Sequence, residues 1–159
     1  MKTPHGLNEI VDTFGDVSKY IADDGIISAK EELEFLTTIT LPYPMIYAYN
    51  EAITIAKMRC HKLLGNIFLD VFNEILESGL KDKFMYFGGC YNFRSKRLSS
   101  RLSTHSWGIA IDGNPKTNAM GTKGDMDSAI IAIFAKHGFV WGGYWKVTDP
   151  MHLQYASGY

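Results

Sequence analysis

Apolar residues recur every three or four positions in two parts of the chain, the spacing that buries one face of a helix. The longer pattern predicts a helix from about Ala52 to Leu76, with Gly79 as its C-terminal stop. The second predicts a helix that Asp125 or Asp127 caps and that continues to about His137. His137, followed by a glycine, is interpreted as a structural residue at the helix end.

The first forty residues are more polar and predict only short helices. Leu7 to Tyr20 has short helical patterning, and Ser28 to Glu31 fits a capping box, so a helix is expected from about Ala29 to Phe35. His61 falls within the long predicted helix but outside its apolar set. It is therefore interpreted as a surface or boundary histidine.

Short runs of β-branched or alternating residues predict strands. One is expected from Thr37 to Leu41, with Pro42 and Pro44 breaking the backbone after it. Four more are expected in the second half of the chain: Phe84–Phe87, Ile109–Asp112, Phe139–Trp141 and His152–Tyr155. Because strands and helices do not strictly alternate, the fold class is predicted to be α+β, a single domain with helices packed on a small, mostly antiparallel sheet.

Composition places the chain among globular proteins, since 46% of its 159 residues are apolar and 21% are charged. A chain of this length can bury a stable core without disulfides or a metal, so any metal need not be structural. The net charge of -1 gives no sign of a nucleic-acid partner. A local basic stretch, interpreted as a solvated loop, comprises Arg94, Lys96, Arg97 and Arg101.

The two cysteines and the N-terminus bear on the compartment. Cys60 and Cys90 lack zinc-ribbon spacing and are interpreted as packing residues. The N-terminus opens no apolar signal region, and the longest apolar runs are too short to span a bilayer. The chain is therefore expected to be made in the cytoplasm, without a signal peptide or a membrane span.

Two segments carry residues suited to metal chemistry. In the first, His105 precedes a predicted strand and Asp112 ends it, and an imidazole nitrogen and a carboxylate oxygen are ligand types that zinc accepts. Taken alone, a loop histidine and a turn-capping aspartate explain this segment better. In the second, Trp141 to His152, aromatic residues and glycines are dense, and Asp149 lies three residues before His152. Asp149 followed by Pro150 also fits a plain turn.

Together the segments supply a His, an Asp and a second His with a carboxylate neighbour, the pattern of a catalytic zinc site with one open position. They read S-x-H-x-x-G-x-A-x-D, followed by W-x-x-x-D-x-x-H. This resembles the zinc peptidases of bacterial cell walls, which comprise D-alanyl-D-alanine carboxypeptidases and dipeptidases and the L-alanyl-D-glutamate endopeptidases of phage endolysins. The stretch from Phe87 to Arg94 resembles the phage endopeptidase branch in particular.

The resemblance implies a role for each matching residue. His105, Asp112 and His152 are expected to bind one Zn²⁺ per chain at the sheet, with Asp149 as the general base and Arg94 facing the substrate carbonyl or carboxylate. Four residues are expected to contact substrate: Ser103, Trp141, Tyr144 and Trp145. Leu153 stands where phenylalanine is common in the family, a swap that keeps the position apolar.

The resemblance also implies a biological setting. Residues 41–159 are expected to form the zinc peptidase domain, and residues 1–40 a helical extension of the same unit. The expected substrate is a peptidoglycan peptide, and the chain is expected to be a monomer. It would reach the cell wall after release by a holin or as a virion component. Three activities remain open: an L-alanyl-D-glutamate endopeptidase, a D-alanyl-D-alanine carboxypeptidase, and a zinc-bearing binding protein without catalysis.

Overall fold

The computed structural model describes residues 1–20, 29–96 and 99–159. Within these residues, six strands form one sheet: β1 (Leu36–Tyr47), β2 (Thr54–His61), β3 (Tyr86–Gly89), β4 (Ala110–Gly113), β5 (Val140–Trp141) and β6 (His152–Gln154). The α-helices are α1 (Gly6–Phe14), α2 (Ala29–Phe35), α3 (Gly65–Glu77) and α4 (Ser128–Lys136).

The strands follow the order β2-β1-β3-β4-β6-β5 across the sheet. All neighbouring strands are antiparallel except β1 and β3, which are parallel. Both α3 and α4 pack on this sheet and on each other. The predicted α+β class with a small, mostly antiparallel sheet is therefore confirmed. No described helix is long and apolar enough to cross a membrane.

The predicted helix from Ala52 to Leu76 is wrong over its first half. Residues 54–61 form β2, which pairs with β1 from Leu36 opposite His61 to Thr40 opposite Lys57. Ile53 and Ala56, which contributed to the helical spacing, are exposed, whereas Met58 and Cys60 are buried at a spacing of two. Pairing with β1 gives these residues hydrogen-bond partners for their backbone and buries Met58 and Cys60 on one face. The segment therefore forms a strand although its apolar residues also have helical spacing.

The prediction for His61 is also wrong, since this residue ends β2 with only 2% of its surface exposed. Its Nε2 lies 3.1 Å from the carbonyl oxygen of Phe14, and its Nδ1 accepts a hydrogen bond from the backbone of Leu63 at 3.2 Å. Nε2 must therefore carry the proton. Burial lowers the pKa of His61 to about 4.

Pro42 and Pro44 do not interrupt β1, contrary to the prediction. Both lie where the pairing between β1 and β2 shifts register, between Thr40 and Met45. At such an irregularity the neighbouring strand takes no hydrogen bond from the backbone of these residues. Proline, which has no backbone N–H, is tolerated at positions of this kind.

The other predicted elements are found with small shifts. The helix from Ala29 to Phe35 is confirmed, although Ser28 of its capping box lies outside the described residues. Asp127 caps α4 through a 2.9 Å hydrogen bond from the backbone of Ala129. Behind α4, the ring nitrogen Nε2 of His137 lies 2.8 Å from a carboxylate oxygen of Glu74 on α3.

Candidate metal centre

Pairing of β4 with β6 brings two of the predicted ligands together. The register places Asp112 directly opposite His152 in antiparallel strands. Opposed residues in such a pair point their side chains to the same face of the sheet. The neighbouring strand β3 approaches closely here, because a Cβ on Gly88 would lie 2.9 Å from the Cβ of Asp112. The glycine thus lets β3 cover the back of the site.

A short 3-10 turn from Thr104 to Trp107 delivers the third ligand, His105. Ser103 caps this turn by accepting a hydrogen bond from the backbone of His105 at 3.3 Å. Gly108 ends the turn with φ +67, and a Cβ there would lie 2.8 Å from the backbone nitrogen of His61. Only glycine fits both constraints without strain, so Gly108 fixes how the turn joins β4.

The three side chains meet in a small triangle. The Nε2 of His105 lies 3.2 Å from the Nδ1 of His152 and 3.2 Å from the Oδ1 of Asp112. The Nδ1 of His152 lies 3.0 Å from the same carboxylate oxygen. His105 and His152 are 2% and 6% exposed. Among the described residues, this is the one cluster of three His, Cys or acidic side chains whose ligand atoms converge.

The outward-facing ring nitrogens determine which tautomer each histidine adopts. The Nδ1 of His105 lies 2.5 Å from the carbonyl oxygen of Cys90, which has no proton to give, so Nδ1 is the donor. The Nε2 of His152 lies 3.0 Å from the Oε1 of Gln154. The amide of Gln154 is itself oriented, because its nitrogen donates to the carbonyl of Ala156 at 3.0 Å. Each histidine therefore turns a lone pair towards the triangle.

A divalent cation fits this arrangement. Four ligands at roughly 2.0 Å from a tetrahedral zinc lie roughly 3.3 Å from one another, close to the separations found here. Two nitrogen lone pairs and a negatively charged carboxylate converge in the triangle. Groups of this kind repel one another unless a positive charge lies between them.

Burial alone would raise the pKa of Asp112, but the two imidazoles hold it well below its usual range. Burial lowers the pKa of His152, but hydrogen bonding to Asp112 and its charge raise it overall.

A cleft of about 200 Å³ opens over the triangle. Asp112 and His152 line this cleft, and so do Asp149, Arg94 and Ser103. The structure thus brings the predicted base and the predicted arginine to the same cavity as the ligands.

The predicted aromatic wall divides into two parts. Trp145 lines the cleft, with its ring centroid 5.3 Å from that of His152. Trp141 instead donates through Nε1 to the carbonyl of Pro150 at 2.7 Å, and Tyr144 stacks edge-on against it with 77% of its surface exposed. Neither lines the cleft, so their contact with substrate stays a prediction.

Asp149 belongs to the turn that leads into β6. Its backbone nitrogen donates to the carbonyl of Gly142 at 2.9 Å, and its carbonyl accepts from the backbone of His152 at 3.0 Å. A Cβ on Gly142 would lie 2.5 Å from the carbonyl oxygen of Asp149. These contacts fix the position of the aspartate relative to the histidine, and the charge of Asp149 is one of the influences that raise the pKa of His152.

Comparison with known proteins adds one observation. Residues 97–155 match the family described as D-alanyl-D-alanine carboxypeptidase. The matched segment contains all three residues of the triangle and Asp149, which supports a peptidase that acts on peptidoglycan. No curated protein and no solved structure matches the chain significantly.

Sequence reasoning did not identify the groups that orient the two histidines. They are the carbonyl of Cys90, the side chain of Gln154, and the hydroxyl of Thr104, which donates to Gln154 at 2.9 Å and lies 3.3 Å from the Nε2 of His152. Gln154 could have been found from the sequence, because it lies two residues after His152 and residues two apart in a strand share a face. The carbonyl of Cys90 carries none, since every residue has a carbonyl.

Proposed function

We propose that this chain is a zinc-dependent peptidase that hydrolyses peptidoglycan stem peptides between L-alanine and D-glutamate. One observation carries the proposal: two histidines of fixed tautomer and a carboxylate converge, and a second carboxylate and a guanidinium line the cleft that Asp112 and His152 share. Three protein ligands with an open position are typical of catalytic rather than structural zinc sites.

In this proposal each residue has a distinct task. His105, Asp112 and His152 hold the zinc, which supplies Lewis acidity and lowers the pKa of water. The carboxylate of Asp149 accepts the proton of the attacking water and returns it to the leaving amine. The guanidinium of Arg94 donates hydrogen bonds to the oxygen of the scissile carbonyl as negative charge develops there.

The choice of the L-Ala–D-Glu bond is supported by the residues from Phe87 to Arg94, which resemble the phage endopeptidase branch. A second candidate, D-alanyl-D-alanine carboxypeptidase, is favoured by the description of the matching family. A zinc-bearing binder without catalysis has less support, because binding alone gives no reason for a second carboxylate in the cleft beside the ligands.

The wider setting belongs to the same proposal. The substrate would be the peptide part of the cell wall, which the chain would reach after holin release or as a virion component. The assignment of residues 41–159 as the catalytic domain stays a prediction, and β1 crosses its boundary. The monomeric state also stays a prediction.

Mass spectrometry of purified peptidoglycan digested by the zinc-loaded protein tests the proposal. An endopeptidase of this type releases stem peptides with a free amino group on glutamate, whereas a carboxypeptidase only shortens stems by one alanine. Products of another bond would refute both assignments. Unchanged peptidoglycan, with zinc bound, would leave the binder as the remaining interpretation.

A further inference from the structure

The loop that carries Arg94 into the cleft carries a second cation with it. The backbone of Ser103 donates to the carbonyl of Arg94 at 2.9 Å, Ser95 bridges to Leu102, and the backbone of Lys96 donates to the carbonyl of Arg101 at 2.8 Å. Residues 94–96 therefore run as an extended segment against residues 101–103. Arg94 and Lys96 are two apart on it, and such residues point to the same side. Both line the cleft.

An aromatic ring holds the Lys96 ammonium in place. Its Nζ lies 3.6 Å from the ring centroid of Tyr159, a cation–π contact. Tyr159 is itself fixed, because its hydroxyl donates to the carbonyl of Leu102 at 2.8 Å and its ring meets Trp107 edge-on. The long, flexible lysine side chain is thus restrained at the cleft rather than free to extend into solvent.

Within the described part of the chain, this ammonium has no acidic partner. Among residues 1–20, 29–96 and 99–159, neither Lys96 nor Arg94 forms a salt bridge with a carboxylate, whereas surface lysines such as Lys83 and Lys136 do. Burial, and then the neighbouring Arg101, lowers the pKa of Lys96. A half-buried cation that is restrained in this way is best satisfied by an anion supplied from the cleft.

We propose that Lys96, beside Arg94 in the cleft, forms a subsite for a carboxylate of the substrate, and that Lys96 determines preference for a free carboxylate next to the scissile bond. The inference rests on the proposed function. It holds for either candidate bond, because D-glutamate linked through its side chain and a terminal D-alanine each present a free α-carboxylate on the residue that follows the cut.

Two matched stem peptides test the subsite, one with that α-carboxylate free and one with it converted to a carboxamide. We expect the wild-type protein to prefer the free carboxylate. Lys96→Met should lower kcat/KM for the carboxylate peptide by roughly 10- to 100-fold, the worth of one charge-assisted hydrogen bond, and leave the carboxamide peptide nearly unchanged. Lys96→Arg should retain much of the preference, because it keeps the charge.

Lys57→Met is the matched control, since Lys57 is an exposed lysine on β2 and does not line the cleft. An equal loss on both peptides would show that Lys96 only supports the loop and would overturn the inference. So would an unchanged preference in Lys96→Met.

If the wild-type protein cleaves neither peptide, the proposed function fails and the subsite can still be judged. Calorimetry then gives the Kd of each uncleaved peptide for the zinc-loaded protein. A Kd that is lower for the carboxylate peptide, and that rises in Lys96→Met, supports the subsite. Equal Kd values for the two peptides, or no change in the variant, would overturn it.

Discussion

At the scale of single residues, the centre depends on which nitrogen of each imidazole faces inward. His105 uses Nε2 and His152 uses Nδ1, so the two rings approach the triangle from different edges. The groups behind them, the carbonyl of Cys90 and the amide of Gln154, determine this choice. Partners of this kind contribute to metal affinity although they do not touch the metal.

Gln154→Leu should therefore weaken zinc binding without removing a ligand. The Nε2 proton of His152 loses its acceptor at 3.0 Å and keeps only the hydroxyl of Thr104 at 3.3 Å, so the ring is held less firmly with Nδ1 inward. We expect the Kd for zinc, measured by competition with a chelator, to rise roughly 10- to 100-fold. Gln154→Glu keeps an oxygen at that position and should stay closer to wild type. Equal affinity in the leucine variant would mean that backbone packing alone orients the ring.

Asp149→Asn separates a catalytic base from a turn residue or a ligand. Asparagine keeps the shape of the side chain but cannot accept a proton at neutral pH. Turnover should fall by roughly 100- to 10,000-fold, while zinc content and Tm stay near wild type. Retained activity would show that Asp149 only shapes the turn. Loss of zinc together with activity would make it a fourth ligand.

At the scale of elements, the glycine at the end of the 3-10 turn links β2 to the metal site. The carbonyl of Gly108 accepts a hydrogen bond from the backbone of His61 at 2.9 Å. A side chain at position 108 would push against that backbone and would also occupy a left-handed conformation.

Gly108→Ala should lower the free energy of unfolding by about 2–5 kcal/mol, the sum of left-handed strain and overpacking. Gly121→Ala is the matched control, because Gly121 has φ +83 but a Cβ added there would meet no atom within 4 Å. It should cost only about 1–2 kcal/mol, from strain alone. Urea denaturation measures both. Equal losses in the two variants would show that the contact with β2 does not matter.

The elements also show what the sequence could and could not reveal. The capping residue Asp127, the left-handed Gly138 and the alternation in β4 are local signals, and the elements they predicted are present. Residues 54–61 could not be assigned from the local sequence, because Ile53, Ala56 and Cys60 have the spacing of a helix. The strand forms because these residues pair with β1, which is distant in the sequence. The three residues of the triangle could be predicted from their spacing to lie together. The proposed role of Lys96 depends on its neighbours in space, which the sequence does not show.

At the scale of the whole molecule, the aromatic core is built from residues other than the three proposed metal ligands. Buried aromatic rings near helices α3 and α4 form a contiguous cluster: Phe68, Phe72, Phe84, Phe134 and Phe139. None of them belongs to the triangle of ligands.

Removal of zinc by a chelator should therefore leave the protein folded. Circular dichroism should keep its far-UV shape while the Tm falls, because a ligand present at a hundred times its Kd stabilises the native state by about 2.7 kcal/mol. His152→Ala should show no such response to zinc. Complete loss of structure on chelation would mean that the metal is structural as well.

Acid should destabilise the fold through His61. Its folded pKa of about 4 lies below the ordinary value of 6.5, so the unfolded chain binds the extra proton between these values. The stability from neutral His61 is complete above pH 6.5 and is lost as the pH falls towards 4. The free energy of unfolding of wild type relative to His61→Gln should fall by about 2 kcal/mol from about pH 7 to about pH 5. An identical pH dependence in both proteins would contradict this.

The order of strands has a consequence for how the centre comes into existence. β6 follows β5 in the chain but lies between β4 and β5 in the sheet. Among the described strands β5 pairs with β6 alone, so β5 joins the sheet only through β6. Until β6 pairs with β4, His105 and Asp112 have no third partner. Binding of the proposed zinc would thus require that β6 has already paired with β4, and it would report on their register: a chain that holds the metal would have His152 opposite Asp112.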